Sequence, residues 1–297
     1  MENANFSYAA PDDPWMTRAI MRLVEIATGQ PKLKRLYEEN QTAPYPDGPS
    51  FFEATMRRLN VDVRFDAARL AQIPKTGPLI VVANHPYGVV DGLAMGSIVE
   101  KMRSDFLILT NAVLLRAPEM APYVLPVDFD GTRAALQTNI ASRQKARDHL
   151  AKGGALILFP AGAVSTSPDR WGRLPAVDFR WPPLVGQLVQ KTGASVVPVF
   201  FGGQNSRLFQ MASHVSVTVR LALLFKEVCN KMGRRLDVGI GDLVPFAEMA
   251  RWGDRQAVAD ELMRRTYALA ETIPDEPRRL AMEPSEIVMP AVLRASA

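Results

Sequence analysis

The stretch PLIVVANHPYGVVDG, residues Pro78–Gly92, joins an apolar strand pattern to a polar loop. Pro78–Ala83 is a continuous apolar run, which is typical of a strand covered on both faces of a sheet. Asn84 and His85 follow directly, and Gly88 gives the backbone the freedom to turn sharply. In open α/β sheets, functional sites collect just beyond the carboxyl ends of strands. The stretch therefore predicts an α/β fold with a candidate site at His85.

Apolar strand patterns alternate with helical patterns from residue 61 onward, which favours an α/β domain built on a central mixed sheet flanked by helices. The predicted strands are Val61–Phe65 (an edge strand), Pro78–Ala83, Phe106–Leu109, Tyr123–Val127, Ala155–Phe159, Ser195–Phe201 and Asp237–Ile240. The predicted helices of this part are Gly92–Met102, Thr132–Lys152, Leu184–Thr192 and Arg255–Ala270. We divide the chain into a helical N-terminal segment at 1–60, a main domain at 61–273 and a flexible tail at 274–297.

The composition is that of an ordinary globular protein, because 47% of the 297 residues are hydrophobic and 22% are charged. The single cysteine, Cys229, excludes an internal disulfide and a cysteine-rich zinc site, and we expect no metal. The net charge of +4 is compatible with an anionic membrane surface and too small to indicate a nucleic-acid partner. No apolar run reaches about 18 residues, so no membrane-spanning helix is expected. The acidic N-terminus lacks the apolar core of a signal peptide, so we expect a cytoplasmic protein.

Three histidines are available for imidazole chemistry: His85, His149 and His214. His85 is the catalytic candidate because Asp91 follows six positions later, and a neighbouring carboxylate fixes the tautomer and stabilises the imidazolium. No Ser or Cys adjoins His85, so the pair predicts a general base that acts on the hydroxyl of a substrate. The chain has no G-x-S-x-G motif, P-loop or G-x-G-x-x-G motif, which counts against a serine lipase and a nucleotide enzyme. The alternative for a lone histidine is a satisfied buried residue, to which we assign His149 and His214.

The segment Trp15–Ala27 (WMTRAIMRLVEIA) predicts an amphipathic helix, because its apolar residues recur at helical spacing. Arg18, Arg22 and Glu25 fall largely on the other side of this helix. The apolar side has two interpretations: it packs on the protein's own domain, or it lies on a membrane surface. We expect the first, since amphipathic helices usually cover their own domain.

Several motifs, taken together in their order and spacing, resemble the glycerolipid acyltransferase family, which includes the 1-acylglycerol-3-phosphate acyltransferases. Asn84-His85 with Asp91 is similar to the first motif of that family. Phe159–Gly162 with Ser165 is similar to its second motif, and Val197-Pro198-Val199 follows as its third. The loops are most similar to the bacterial hemolysin-like branch, which includes lyso-ornithine lipid O-acyltransferases. The resemblance extends over roughly residues 20–270.

This resemblance implies that a lysolipid hydroxyl attacks an acyl thioester, in membrane lipid biosynthesis, with acyl-CoA or acyl carrier protein as co-substrate and no other cofactor. It implies that His85 takes the hydroxyl proton while Asp91 orients His85. The expected substrate-binding residues are Asn84, Gly88, Arg116, Phe159, Pro160, Gly162 and Ser165. Arg116 is included as a basic residue beyond the predicted Phe106–Leu109 strand. Because a long acyl chain carries roughly 10 kcal/mol of transfer energy, we expect a peripheral protein on the inner face of the cell membrane.

Three residues depart from the second motif of the family. Ala161 stands where the family has Glu, Val164 where it has Arg, and Ala163 where the branch pattern has Glu. Five residues rather than four separate His85 from Asp91, as in the hemolysin-like branch. The departures weaken the case for a phosphate-bearing acceptor. They also leave an alternative open, in which the chain is a catalytically weakened lipid-binding or membrane-associated member of the same fold.

Overall fold

A computed structural model of the chain describes residue 7 and residues 14–128, 132–274, 276, 283–287 and 289–294. The strands within these residues are β1 (Asp62–Arg64), β2 (Leu79–Ala83), β3 (Phe106–Asn111), β4 (Val124–Val127), β5 (Ala155–Leu158), β6 (Ser195–Phe201) and β7 (Arg235–Ile240). They form one sheet in the order β1-β7-β6-β2-β5-β3-β4. Neighbouring strands are parallel except β6 and β7, which are antiparallel. The predicted mixed sheet is confirmed, with β1 at its edge.

The helices of the described residues surround this sheet. They are α1 (Trp15–Ala27), α2 (Gln30–Thr42), α3 (Phe51–Arg58), α4 (Ala67–Ala71), α5 (Val89–Val99), α6 (Arg133–Ala151), α7 (Leu184–Thr192), α8 (Arg207–Ala212), α9 (Val217–Ala222), α10 (Leu224–Lys231), α11 (Phe246–Met249), α12 (Arg255–Ala268) and α13 (Ala291–Arg294). Single 3₁₀ turns lie at Ala112–Arg116, Pro118–Met120, Leu269–Thr272 and Pro284–Glu286. Helices α8–α10 fill a stretch between β6 and β7 for which the sequence predicted no element.

Two apolar layers cover the two faces of the sheet. Leu79 and Val81 of β2 point into the layer that holds α3, α5 and α10, whereas Ile80 and Val82 point into the layer that holds α6, α7 and α12. Successive side chains of a strand face opposite sides, so both sets are buried. The apolar run that predicted β2 is therefore explained by helices on both sides of it.

The N-terminal segment is not a separate unit, because its third helix belongs to the main core. Phe52 of α3 is fully buried. Its ring lies so close to α5 that a Cβ on Gly96 would come within 2.3 Å of it. A glycine at this position of α5 is what lets the two helices approach. The predicted boundary at residue 60 therefore does not separate two packing units.

The described part of the predicted tail lies against the domain. Ile287 packs on the apolar layer that contains α12, and Leu293 is buried. Glu283 forms an ion pair with Arg264 of α12 at 3.3 Å. These residues are packed, whereas the sequence predicted a flexible tail; the remainder of the predicted tail lies outside the described residues.

Helix α1 turns its apolar side away from the protein, which corrects our expectation. Trp15, Leu23 and Ile26 are 71%, 70% and 59% exposed. The side that faces the protein instead carries Met21 and Glu25, both buried. The amphipathic pattern was therefore predicted correctly, but the side that packs on the domain was not. None of the described helices combines the length and apolar character needed to cross a bilayer.

Candidate active site

The loop between β2 and α5 places His85 at the carboxyl edge of the sheet. Gly88, with a φ of 80°, turns the chain into the helix. Helix α5 begins at Val89, so Asp91 lies in its first turn rather than in the loop that the sequence predicted. The Asp91 carboxylate accepts hydrogen bonds from the backbone N–H groups of Tyr87 and Gly88, at 2.8 and 3.3 Å. Asp91 therefore caps the helix and holds the loop that carries His85.

The predicted pairing of His85 with Asp91 is present. Nδ1 of His85 lies 3.1 Å from Oδ1 of Asp91, and the Asp91 side chain is completely buried. The two groups are close enough for a strong charge interaction, although Nδ1 is not aligned for a hydrogen bond. Such alignment often tightens only when substrate binds. Because Nδ1 faces the carboxylate, Nε2 is the ring nitrogen that remains for a substrate, and the side chain is 19% exposed.

The charges around His85 raise its pKa above the ordinary value of 6.5. Burial alone lowers the pKa, because it disfavours the charged ring. The negative charges of Asp91 and Asp178 act in the opposite direction and outweigh it, although Arg220 opposes them. A base with a raised pKa accepts a proton more readily, and it is fully deprotonated only at correspondingly higher pH.

Asp178 is a site residue that the sequence analysis did not identify. Its buried Oδ1 accepts from the backbone N–H of His85 at 3.1 Å and from the hydroxyl of Ser165 at 2.5 Å. Its Oδ2 accepts from the indole N–H of Trp181 at 2.9 Å. Burial raises the pKa of this carboxyl in spite of these donors. Asp178 thus ties the loop after β2 to the loop after β5.

We expect Asp178→Asn to destabilise the protein by about 1–3 kcal/mol, because an amide N–H₂ then faces a donor of Ser165 or Trp181. The free energy of unfolding in urea measures this loss. The matched control is Asp260→Asn, because Asp260 pairs with Arg180 near the surface. We expect its loss of unfolding free energy to be smaller than that of Asp178→Asn. Equal losses in both variants would contradict the assigned role of Asp178.

The loop after β5 brings an aromatic ring against the histidine. The centroid of the Phe159 ring lies 4.3 Å from that of His85, and the next residue, Pro160, is buried. Gly162, at a φ of 68°, donates its N–H to the carbonyl oxygen of Phe159 at 3.1 Å. Phe159 therefore lies beside His85, and its predicted contact with substrate stays a prediction. The amide of Gly162 closes a turn and that of Gly88 binds Asp91, and the predicted contacts of these two residues with substrate stay predictions.

Two further predicted substrate contacts are corrected by the structure. The amide side chain of Asn84 exchanges two hydrogen bonds with the backbone of Phe201, at 3.0 and 2.7 Å, and therefore joins β2 to β6. Ser165 donates its hydroxyl to Asp178 and its N–H to the carbonyl oxygen of His85. Both side chains are buried. They hold the loop of His85 in position rather than facing a substrate.

Arg116 is at the same edge of the sheet, in the 3₁₀ turn after β3. Its guanidinium donates to the carbonyl oxygen of Ser7 in the N-terminal segment. This contact ties Arg116 to that segment, and its predicted role at an acceptor headgroup stays a prediction.

A different cation, Arg220, contacts the loop after β5, and the sequence analysis did not identify it. Arg220 of α9 is 5% exposed. It donates to the hydroxyl of Thr166 at 2.8 Å and to the carbonyl oxygen of Val164 at 2.5 Å. These two residues flank Ser165, which is bonded to the backbone of His85. Arg220 is thus connected to His85 through a single loop.

The other two histidines have the satisfied, structural environments predicted for them. His149 donates from Nε2 to the carbonyl oxygen of Asp105 at 2.7 Å, and His214 donates to that of Ser167 at 2.8 Å. Cys229 is half-buried, and burial raises the pKa of its thiol. These residues have ordinary structural environments, so His85 stays the histidine predicted to be catalytic.

The site thus consists of a histidine–carboxylate pair at the carboxyl edge of a mixed α/β sheet. A sequence model described as "Acyltransferase" matches residues 44–275, which is more than half of the chain. The protein therefore belongs to this acyltransferase family.

Curated proteins and solved structures are similar to the chain. The lyso-glycine lipid O-acyltransferases of Phocaeicola vulgatus and Bacteroides thetaiotaomicron are both 26% identical over 206 residues, which is 67% of this chain and 70% and 72% of theirs. The crystal structure of the 1-acyl-sn-glycerophosphate acyltransferase from Thermotoga maritima has a TM-score of 0.47 and 16% identity, over 86% of this chain and 88% of that one.

Proposed function

We propose that the protein is a lysolipid O-acyltransferase, which moves a fatty acyl group from an acyl thioester to the hydroxyl of a lysolipid. The observation that carries this proposal is the contact between His85 and the completely buried Asp91. Membership of the acyltransferase family and the names of the two curated relatives support the reaction type.

In the proposed reaction, Nε2 of His85 takes the proton of the lysolipid hydroxyl as its oxygen attacks the thioester carbonyl. Asp91 stabilises the imidazolium that forms, through the 3.1 Å contact at Nδ1. When the tetrahedral intermediate collapses, the carbon–sulfur bond breaks and the imidazolium returns its proton to the leaving thiolate. An ester and a free thiol are the products, and no further cofactor is needed.

We propose a lyso-amino-acid lipid as the acceptor. The two curated relatives are named for a lyso-glycine lipid, and the sequence resembles the branch that contains lyso-ornithine lipid enzymes. Ala161 and Val164 also stand where the phosphate-binding residues of the wider family are expected.

A panel assay with the purified full chain tests the proposal. It combines lyso-glycine lipid, lyso-ornithine lipid and lysophosphatidic acid with acyl-CoA or acyl carrier protein thioesters, and mass spectrometry identifies the products. We expect an ester product, with the amino-acid lipids preferred. If no acceptor is acylated with either donor, the chain is instead a lipid-binding member of the fold.

We propose that the protein works as a peripheral protein on the membrane surface, with α1 in contact with the bilayer. Trp15, Leu23 and Ile26 form part of an exposed apolar side of α1, and Arg22 beside them is exposed. Amphipathic helices of this kind lie in the interface, where basic residues add about 1 kcal/mol each on anionic lipid. An acyl acceptor embedded in the bilayer then reaches the site without crossing water.

The double variant Leu23→Glu/Ile26→Glu tests the membrane contact. Since burying each side chain contributes about 1.5–3 kcal/mol, we expect binding to vesicles of phosphatidylcholine and phosphatidylglycerol to weaken by about 100-fold or more. Vesicle co-sedimentation measures this change. A matched control is Leu136→Glu/Ile140→Glu on α6, whose residues are also exposed, at 59% and 56%, on the opposite side of the sheet. If both double variants bind vesicles like the wild type, α1 is not the contact.

A further inference from the structure

Among the residues that the structure describes, Arg220 is a buried cation that forms no ion pair. In the part of the chain that the structure describes, no carboxylate lies within 4.0 Å of its guanidinium, and its two acceptors are neutral: Thr166 and Val164. The ring of Phe209 lies 5.2 Å from its guanidinium carbon. Buried charges are usually paired with an opposite charge, because the loss of hydration is otherwise uncompensated.

The two buried carboxylates of the candidate site are engaged elsewhere. Asp178 accepts from His85, Ser165 and Trp181, and Asp91 accepts from the loop before α5. Burial therefore acts on Arg220 unopposed and lowers its pKa to about 10, so that the side chain still carries its charge at neutral pH. Within the described residues, two of its five N–H donors are used, which leaves three for a ligand.

Arg220 also lies close to the reacting centre. Its partners Val164 and Thr166 are the residues on either side of Ser165, whose N–H donates to the carbonyl oxygen of His85 at 2.8 Å. A Cβ on Gly88 would lie 3.1 Å from the Val164 side chain, so the loops before α5 and after β5 converge here. An anion bound to Arg220 is consequently separated from His85 by one loop, residues 164–166.

We propose that Arg220 binds the anionic headgroup of the acceptor, the carboxylate of a lyso-amino-acid lipid. This inference rests on the proposed function and identifies the residue that recognises its acceptor. A guanidinium presents a planar set of donors that matches a carboxylate. The carboxylate of the acceptor would supply the negative charge that pairs with Arg220. Binding at this point fixes one end of the acceptor while its hydroxyl faces Nε2 of His85.

The test compares three acceptors with one thioester donor: an N-(3-hydroxyacyl) amino acid, its methyl ester and lysophosphatidic acid. For the wild type, we expect kcat/KM to be about 10- to 100-fold higher with the free acid than with its methyl ester, which is the range of a hydrogen bond to a charged group. In Arg220→Gln, we expect this ratio to fall to about 1, with the KM for the donor unchanged. Arg220→Lys retains the charge without the planar donor set, so we expect an intermediate ratio.

The matched control is Arg207→Gln, an exposed arginine on α8, which we expect to keep the wild-type ratio. The proposal is overturned if the wild type uses the acid and the ester equally. It is also overturned if Arg220→Gln loses activity on both by the same factor, because Arg220 then only supports the loop. A raised donor KM in Arg220→Gln would assign the arginine to the donor instead. Preferential use of lysophosphatidic acid, lost in Arg220→Gln, would replace the carboxylate by a phosphate.

Equilibrium binding of the free acid and of its methyl ester, without a donor, gives a second readout that needs no catalysis. We expect the wild type to bind the acid at least tenfold more tightly than the methyl ester. We expect Arg220→Gln to bind the two compounds equally. If nothing is acylated but this difference in binding is found, the proposed reaction fails and the anion site stands. If acylation occurs without the difference, the anion site alone fails.

Discussion

His85→Ala should abolish acyl transfer while the protein remains folded. General-base catalysis contributes about 10²–10⁴-fold, and we expect kcat to fall by at least that factor. Since the ring lies at the rim of the core, 19% exposed, its removal leaves the strands and helices in place. The assay follows ester formation from a labelled acyl thioester, and circular dichroism checks the fold.

His149→Ala is the matched control for this experiment. The ring of His149 donates to the carbonyl oxygen of Asp105 and lies at the end of α6. We expect some loss of stability and a wild-type kcat. Full activity in His85→Ala, or equal losses in the two variants, would contradict the assignment of the base.

Asp91→Asn should lower activity and move its pH dependence. The carboxylate faces Nδ1 of His85, and its loss removes both the orientation of the ring and the charge that stabilises the imidazolium. We expect kcat/KM to fall by about 10²–10⁴-fold. The pH profile of kcat/KM carries more information than the size of the loss.

The direction of the pH shift follows from the charges around the ring. In the wild type, the pKa of His85 is raised above 6.5, so the acid limb of kcat/KM lies above pH 6.5 and activity rises as the base deprotonates. In Asp91→Asn, burial continues to lower the pKa while the largest opposing charge is gone. The acid limb should therefore move to lower pH. Asp254→Asn, at the start of α12, removes another helix-capping carboxylate and should leave the limb in place.

The sheet and the His85–Asp91 pair were predictable because their signals are local. A continuous apolar run marked β2, and Asp91 lies only six positions from His85. Helices α8 and α9 were missed because each has six residues and no strong apolar period. The amphipathic pattern of α1 identified its two sides. Which side meets the protein depends on how α1 packs on α9, and the sequence alone does not predict that packing.

The errors at the site share one physical cause, which is long-range pairing. Asn84 binds the backbone of Phe201, which is 117 positions away, and Asp178 binds His85 from 93 positions away. Neither contact follows without the strand order, which puts β6 and β5 on either side of β2. The polar residues beside His85 were therefore assigned to substrate, whereas they hold loops together.

The most direct measurement follows a labelled acyl group from a thioester in the presence of a lyso-amino-acid lipid and the purified protein. We predict that the label appears as an ester on the lipid hydroxyl with the wild type and stays on the thioester with His85→Ala. Label that remains on the thioester with the wild type, or that is released only as free fatty acid, would contradict the account.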